Sequence, residues 1–196
     1  TINNPTSGGG YYAGNIEINA TITDAVGGDA TTYRFQVNSG SWQDLTLSGG
    51  NDYIYAVFDT TTLPDGTNYV NVTAEDEVGN NNTVMETFDV DNTMPAITIN
   101  NLTAAGSPYA GSVELNATIV DADGNGDDTT YRYQIDSNDW ITLTQVGATT
   151  WYIDTNDTTF LSDGTHYVNV TAEDTLGNNN TVMETFVVDN TAPTIT

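Results

Sequence analysis

The chain has 196 residues, 27 of them Asp or Glu, against two Arg, one His and no Lys, for a formal net charge of -25. With only two Arg to neutralise phosphates it is excluded as a nucleic-acid binder, and an anionic membrane surface is disfavoured for the same reason. Cys is absent, which removes disulfides, thiolate chemistry and Cys-based zinc sites. No apolar run reaches the roughly 20 residues that a membrane-spanning helix needs, so no direct membrane insertion is expected.

Asn15–Asp24 (NIEINATITD) alternates, with Ile16, Ile18, Ala20 and Ile22 on one face and Glu17, Asn19, Thr21 and Thr23 on the other. That is the period of a half-buried strand. A Gly/Asp turn follows, then TTYRFQVN at 31–38, where Tyr33, Phe35 and Val37 share a face. Trp42 comes after a short turn, as in a hairpin, and the regularly placed Leu45 assigns it to the core. Tyr53–Asp59 is an aromatic-rich strand. A Leu-x-Asp-Gly turn (Leu63, Asp65, Gly66) leads into YVNVTAED, GNNN is a turn, and TVMETF opens the last strand.

The pattern then repeats. DGTNYVNVTAEDEVGNNNTVMETFDVDNTMP at 65–95 returns at 163–193, 98 residues later, with changes only at Asn68, Glu77, Val78, Asp89 and Met94. Upstream, SVELNATIVD and TTYRYQID mirror the earlier strands, and Trp140 mirrors Trp42. A period near 98 residues is the length of one β-sandwich. Short strands separated by Gly, Asn and Asp turns, with no helical period anywhere, predict two tandem all-β sandwiches, residues 1–94 and 95–196.

The run LPDGTNYVNVTAEDEVGNNN…VDNTMP, with Y-R-F-Q-V-N…W upstream, resembles the bacterial and archaeal Ig-like repeats of cell-surface proteins, which are akin to fibronectin type III modules. The resemblance covers both repeats and implies antiparallel Ig-like sandwiches without catalytic activity. It also implies an extracellular, cell-surface or secreted location. The implied role is structural: a stalk, filament or surface-layer segment. An adhesin module for carbohydrate or protein, or an accessory domain of a larger secreted enzyme, is the alternative. In such families a Tyr lies in phase with the inward Val-x-Val-x-Ala. Here Val70, Val72 and Ala74 point one way and Tyr69 the other, so the inward slot falls to Asn68 and, in repeat 2, to His166.

Four groups of residues are candidates for a specific role. His166, whose counterpart is Asn68, reads as a surface or edge residue rather than a catalyst. Arg34 and Arg132 read as structural ion-pair formers, with Glu17 or Glu75 and with Glu114 or Glu173. Asp121, Asp123, Asn125 and Asp127 match the first half of a calcium loop, in which alternate oxygens converge on a hard cation; position 12 holds Arg132, not Glu. Asp89 and Asp91, in DVDNTMP, look like the calcium-binding linker of cadherins. Calcium is therefore the one expected cofactor, and Pro95 makes the linker semi-rigid.

Asn-x-Ser/Thr sequons, candidate sites for attached glycans, occur at Asn19, Asn71, Asn81, Asn101, Asn116, Asn156, Asn169 and Asn179. Asn19, Asn71, Asn116 and Asn169 fall on the outward phase of their strands. Finally, Thr1, Ile2, Asn3 and Asn4 align with Thr98, Ile99, Asn100 and Asn101, whereas Pro193, Thr194, Ile195 and Thr196 repeat the start of repeat 2, Pro95–Thr98. The expected partner is another copy, head-to-tail, or a further repeat of the same chain, with Ala192–Thr196 running to residue 1 of its neighbour.

Overall fold

The computed structural model describes residues 1–24, 32–102, 108–122 and 130–195, and within these the side chains of 112–115 and 152–156 lie outside the description. The chain divides into two compact units, Thr1–Asn92 and Thr93–Thr196.

In unit 1 the strands are β1 (Ile2–Asn4), β2 (Tyr11–Tyr12), β3 (Asn15–Thr21), β4 (Arg34–Val37), β5 (Gln43–Asp44), β6 (Thr46–Gly49), β7 (Asp52–Asp59), β8 (Gly66–Glu75) and β9 (Asn81–Val90). They form two sheets, ordered β1-β3-β7-β6 and β2-β9-β8-β4-β5. Pairing is antiparallel except for β2, which runs parallel to β9. The first order is the A-B-E-D sheet of an Ig-like sandwich and the second extends its G-F-C sheet.

Unit 2 has β10 (Ala96–Ile99), β11 (Ser112–Val120), β12 (Arg132–Ile135), β13 (Ile141–Thr142), β14 (Thr144–Gln145), β15 (Thr150–Asp157), β16 (Gly164–Glu173) and β17 (Asn179–Val188). Its sheets are β10-β11-β15-β14 and β13-β12-β16-β17. A single parallel bridge, Tyr109 to Val188, stands where β2 stands in unit 1.

Period-two alternation builds each core. In unit 1, Ile18 and Ala20 from β3 meet Phe35 and Val37 from β4 and Val70 and Val72 from β8, all buried. Val168, Val170, Tyr133 and Ile135 do the same in unit 2. Aromatic pairs bridge the sheets at matching places. Tyr33 meets Tyr53 edge-on at 4.3 Å between centroids, and Tyr131 meets Trp151 at 4.7 Å. Such edge-to-face contacts favour the pair beyond its buried area.

The duplicated polar residues close the ends of these sandwiches. Asp76 Oδ1 accepts from the backbone N–H of Val78 and Asn80, at 3.0 and 2.8 Å, and its Oδ2 accepts from Asn80 Nδ2 at 2.6 Å. Asp174 does the same with Leu176 and Asn178. The tip needs Gly79 and Gly177, at φ 88° and 92°, in the region open to glycine. At the other end Asp65 accepts from the Asn92 N–H at 2.7 Å, and Asn92 Nδ2 donates to the Thr60 carbonyl at 2.9 Å. The buried Thr60 hydroxyl in turn donates to the Gly14 carbonyl at 2.8 Å. Asp163, Asn190, Thr158 and Gly111 reproduce this latch.

Candidate functional site

Three sequence-based assignments are corrected by the structure. Trp42 and Trp140 are not core residues, being 43% and 42% exposed. Each precedes a two-residue strand at the edge of its sheet, where a large ring has neighbours on one side only. His166 is not a surface residue. It is 7% exposed, with Nδ1 2.7 Å from Asp136 Oδ2 and Nε2 2.8 Å from the Ser162 carbonyl. Arg34 pairs with neither Glu17 nor Glu75; its Nε donates to Asp44 Oδ1 at 3.0 Å across the β4–β5 pair, with both side chains substantially exposed. An exposed pair of this kind contributes about 0–1 kcal/mol. Arg132 stands opposite Thr142, the counterpart of Asp44, and makes no ion pair with a described side chain.

The inward slot on β8 and β16 is occupied as the alternation requires. Asn68 is 1% exposed and donates to the carbonyls of Pro64 and Gly66 while accepting from Asn38 Nδ2. In unit 2 the pair Asn38–Asn68 becomes Asp136–His166. A carbonyl only accepts, so His166 Nε2 carries a proton toward Ser162. Burial by itself lowers the His166 pKa, but the hydrogen bond to Asp136, the Ser162 carbonyl and the Asp136 charge outweigh it, and the pKa is raised.

Of the predicted calcium loop, Asp123, Asn125 and Asp127 lie outside the described residues. Asp121 stands directly after β11. At the junction, the Asp89 carboxylate accepts from the Thr67 hydroxyl at 2.7 Å, and Asp91 is fully buried with its N–H on the Tyr12 carbonyl. Among the described residues no three His, Cys, Asp or Glu side chains converge as a metal site.

Of the sequons, Asn81, Asn101 and Asn179 are exposed, while Asn19, Asn71, Asn116 and Asn169 are half-buried. Their neighbours engage several of them. Asn71 and Asn169 each donate to a Gln on the adjacent strand, Gln36 and Gln134, and Asn19 donates to Glu17. The Asn156 side chain lies outside the description.

An open groove of about 330 Å³ lies in unit 1, lined among others by Ile2, Ile22, Ala74, Asp76, Asn82 and Val84. Thr1 and Ile2 bound it: the Thr21 N–H donates to the Thr1 carbonyl at 2.9 Å, and Ile2 is buried opposite Ala20. Pro193, Thr194 and Ile195 are exposed and outside any strand; Thr196 lies beyond the described residues. No helix of the described residues is long and apolar enough to cross a membrane.

No curated protein matches the chain. Among solved structures, the fibronectin(III)-like modules of Clostridium thermocellum CbhA align at 16% identity and TM-score 0.41, over 97% of this chain and 94% of that one. A calcium-stabilised adhesin with which an Antarctic bacterium binds ice aligns at 22% identity and TM-score 0.48, over 96% of this chain. A tetra-tandem repeat from the extending region of a large adhesion protein aligns at 23% and 0.39, over 92%. The chain spans 48% and 47% of those two adhesin structures. The family match is to a bacterial Ig-like domain, group 3, over residues 51–136. It takes in β7 to β9 of unit 1 and β10 to β12 of unit 2, and so runs in a phase shifted from the structural units. Residues 51–136, less than half of the chain, are thus similar to a bacterial Ig-like domain of group 3.

Proposed function

We propose that the chain is a structural segment of an extracellular protein, in which Ig-like units in tandem space or link other parts, as in a stalk, filament or surface layer. The observation that carries this is where the duplicated polar residues go. Asp65, Asp76, Thr60 and Asn92, with Asp163, Asp174, Thr158 and Asn190, all turn their side chains to backbone groups that close the sandwich. The repeat thus preserves what holds a bead together. The same reading includes glycans on the sequons, with Asn81, Asn101 and Asn179 the most accessible. It also includes calcium at Asp121, Asp123, Asn125 and Asp127 or at Asp89 and Asp91, supported by the oxygen-rich composition and the near-absence of cations.

A second reading, a carbohydrate-binding module, is favoured by the two exposed rings Trp42 and Trp140 at matching edge positions. Pulling single chains by their ends separates the two. A load-bearing segment gives two discrete unfolding events, each releasing about 30 nm of chain, since an extended residue spans at most ~3.6 Å. Extension without force peaks would overturn the structural reading.

A further inference from the structure

In unit 2 the outer face of the β13-β12-β16-β17 sheet carries a hollow of about 260 Å³, lined by Thr130, Arg132, Trp140, Thr171, Glu173 and Asn179. The register of the sheet explains why they meet. Arg132 stands opposite Thr171, and Glu173 opposite Asn179. Tyr131, Tyr133, Val170 and Ala172, which alternate with them, are buried in the core, so Arg132, Thr171 and Glu173 share the outward phase. Trp140, just ahead of β13 on the other side of β12, adds its exposed ring from the flank.

Half of these side chains build the floor. The Thr130 hydroxyl donates to the Glu173 carbonyl at 2.9 Å and accepts the Glu173 N–H at 3.1 Å. The Thr171 hydroxyl donates to the Asn180 carbonyl at 3.1 Å and accepts from Asn179 Nδ2 at 3.3 Å. The other three groups are uncommitted. Among the described residues the Arg132 guanidinium, the Glu173 carboxylate and the Trp140 indole N–H have no hydrogen-bond or ion-pair partner. The hollow thus holds a donor, an acceptor and an aromatic face side by side.

Unit 1 carries the same six residue types, Thr32, Arg34, Trp42, Thr73, Glu75 and Asn81. What differs is the residue across from the arginine, Asp44 in unit 1 and Thr142 in unit 2. Asp44 takes the Arg34 Nε at 3.0 Å. It lies on the edge strand β5, so it draws the guanidinium away from β8, the strand that holds Glu75. Thr142 offers no charge, and Arg132 lines the hollow with Glu173 instead.

We propose, resting on the carbohydrate-binding reading above, that this hollow in unit 2 binds one ring of a neutral β-linked glucan. A glucose ring with equatorial hydroxyls has apolar C–H faces and a polar rim. Trp140 covers a face, as an aromatic ring at a wet edge can. Arg132 only donates and Glu173 only accepts, so together they serve rim hydroxyls in both directions. Diagonal positions on paired antiparallel strands lie about 7–8 Å apart, which lets the two side chains reach opposite edges of one ring. The volume falls below the roughly 300–1,000 Å³ of drug-sized sites, the scale of a single sugar unit. An acidic sugar is disfavoured, because Glu173 and the net charge of -25 repel a carboxylate. Asn179 is also a sequon, and a glycan attached there would compete for the hollow, so the site is tested on the unglycosylated chain.

The experiment titrates a β-linked glucose tetrasaccharide into the isotope-labelled 196-residue chain by NMR, with a uronate tetrasaccharide as the charged comparison. Expected are shifts at the Trp140 indole N–H and at Thr171, Glu173 and Asn179. The dissociation constant is expected on the order of 1 mM, the strength of a one-ring contact at ordinary ligand efficiency, and insensitive to salt. Trp140→Ala weakens binding by about tenfold or more. Thr142→Asp does the same with the ring still present, because it gives Arg132 the partner that Arg34 has. Asp44→Thr, the reverse change, brings matching shifts at Trp42, Thr73 and Glu75. All three positions are exposed, and unchanged melting temperatures confirm that the variants fold. Binding that survives Trp140→Ala and Thr142→Asp, with shifts confined to unit 1, overturns this site while keeping the carbohydrate-binding reading. Tighter binding of the uronate overturns the neutral class. No shift with either saccharide overturns the site, and retardation of the chain by other polysaccharides in affinity electrophoresis then keeps the broader reading without it.

Discussion

Position 68 holds Asn and its counterpart 166 holds His, both buried, and each residue's partner changes with it, from Asn38 to Asp136. Asn38 and Asp136 sit at φ 49° and 50°, a left-handed conformation that Asn and Asp tolerate best among non-glycine residues. Each accepts an N–H of the neighbouring strand in the sheet, from Tyr69 of β8 or Tyr167 of β16, at 3.1 Å. The geometry is therefore kept while a neutral pair is exchanged for a titratable one. The folded His166 pKa is raised from 6.5: burial opposes protonation, and the bonds to Asp136 and Ser162 overcome it. A raised folded pKa means that the stabilisation is fully present below the unfolded value. It is lost as pH climbs through the folded one. Unit 2 is thus expected to melt at a higher temperature just below pH 6.5 than in mildly alkaline solution, and unit 1 is expected to lack this term. The double change Asp136→Asn with His166→Asn, which copies unit 1, removes the difference. A pH response of unit 2 that persists in that variant would show that another group is responsible.

At the scale of elements, the β8–β9 and β16–β17 hairpins depend on one aspartate each. Asp174 is 2% exposed and accepts three hydrogen bonds. Asp174→Ala leaves the N–H groups of Leu176 and Asn178 without that acceptor and is expected to destabilise unit 2 by about 1–3 kcal/mol. Asp76→Ala, at a half-buried tip, costs less because water can replace the lost acceptor. Chemical denaturation of both variants checks the order, and an equal loss would refute the role given to burial. The long strands were legible in the sequence because six to ten alternating residues state their period. The two-residue β2 and β5 have no period to read, and β2 is held by parallel pairing with β9, some 80 residues away. Trp42 was misread for a related reason: its type argued for the core, but its place at the sheet edge depends on pairings that the local pattern does not carry. The slot of Asn68 and His166 was read correctly from phase. The burial of His166 was missed because its partner lies 30 residues away.

For the whole molecule the governing quantity is charge. Two Arg and one His face 27 acidic residues. The described ion pairs are an exposed Arg34–Asp44 and a His166–Asp136 pair in which the imidazole is buried and the carboxylate half-buried. Almost every carboxylate is therefore stabilised by hydrogen bonds or water rather than by an opposite charge. Several turn aspartates illustrate the first case. Asp59 and Asp157 have pKa values lowered by the side chains and N–H groups of Thr61 and Thr159, and Asp163 by Thr191 and Asn190. Such carboxylates stabilise the fold above their unfolded pKa, and that contribution is lost as pH falls through the folded one. Near neutrality the remaining charges repel one another in the compact state more than in the expanded chain. The Debye length shortens from about 30 Å at 0.01 M salt to about 3 Å at 1 M, so added salt screens this repulsion with few ion pairs to weaken in exchange. Both units are expected to gain stability across that range. If screening removes about 1 kcal/mol of repulsion per unit, the melting temperature rises by roughly 4–8 °C. Calorimetry in NaCl at constant pH measures it. A melting temperature that stays flat or falls with salt would show that the acidic surface is not a significant destabilising load on these sandwiches.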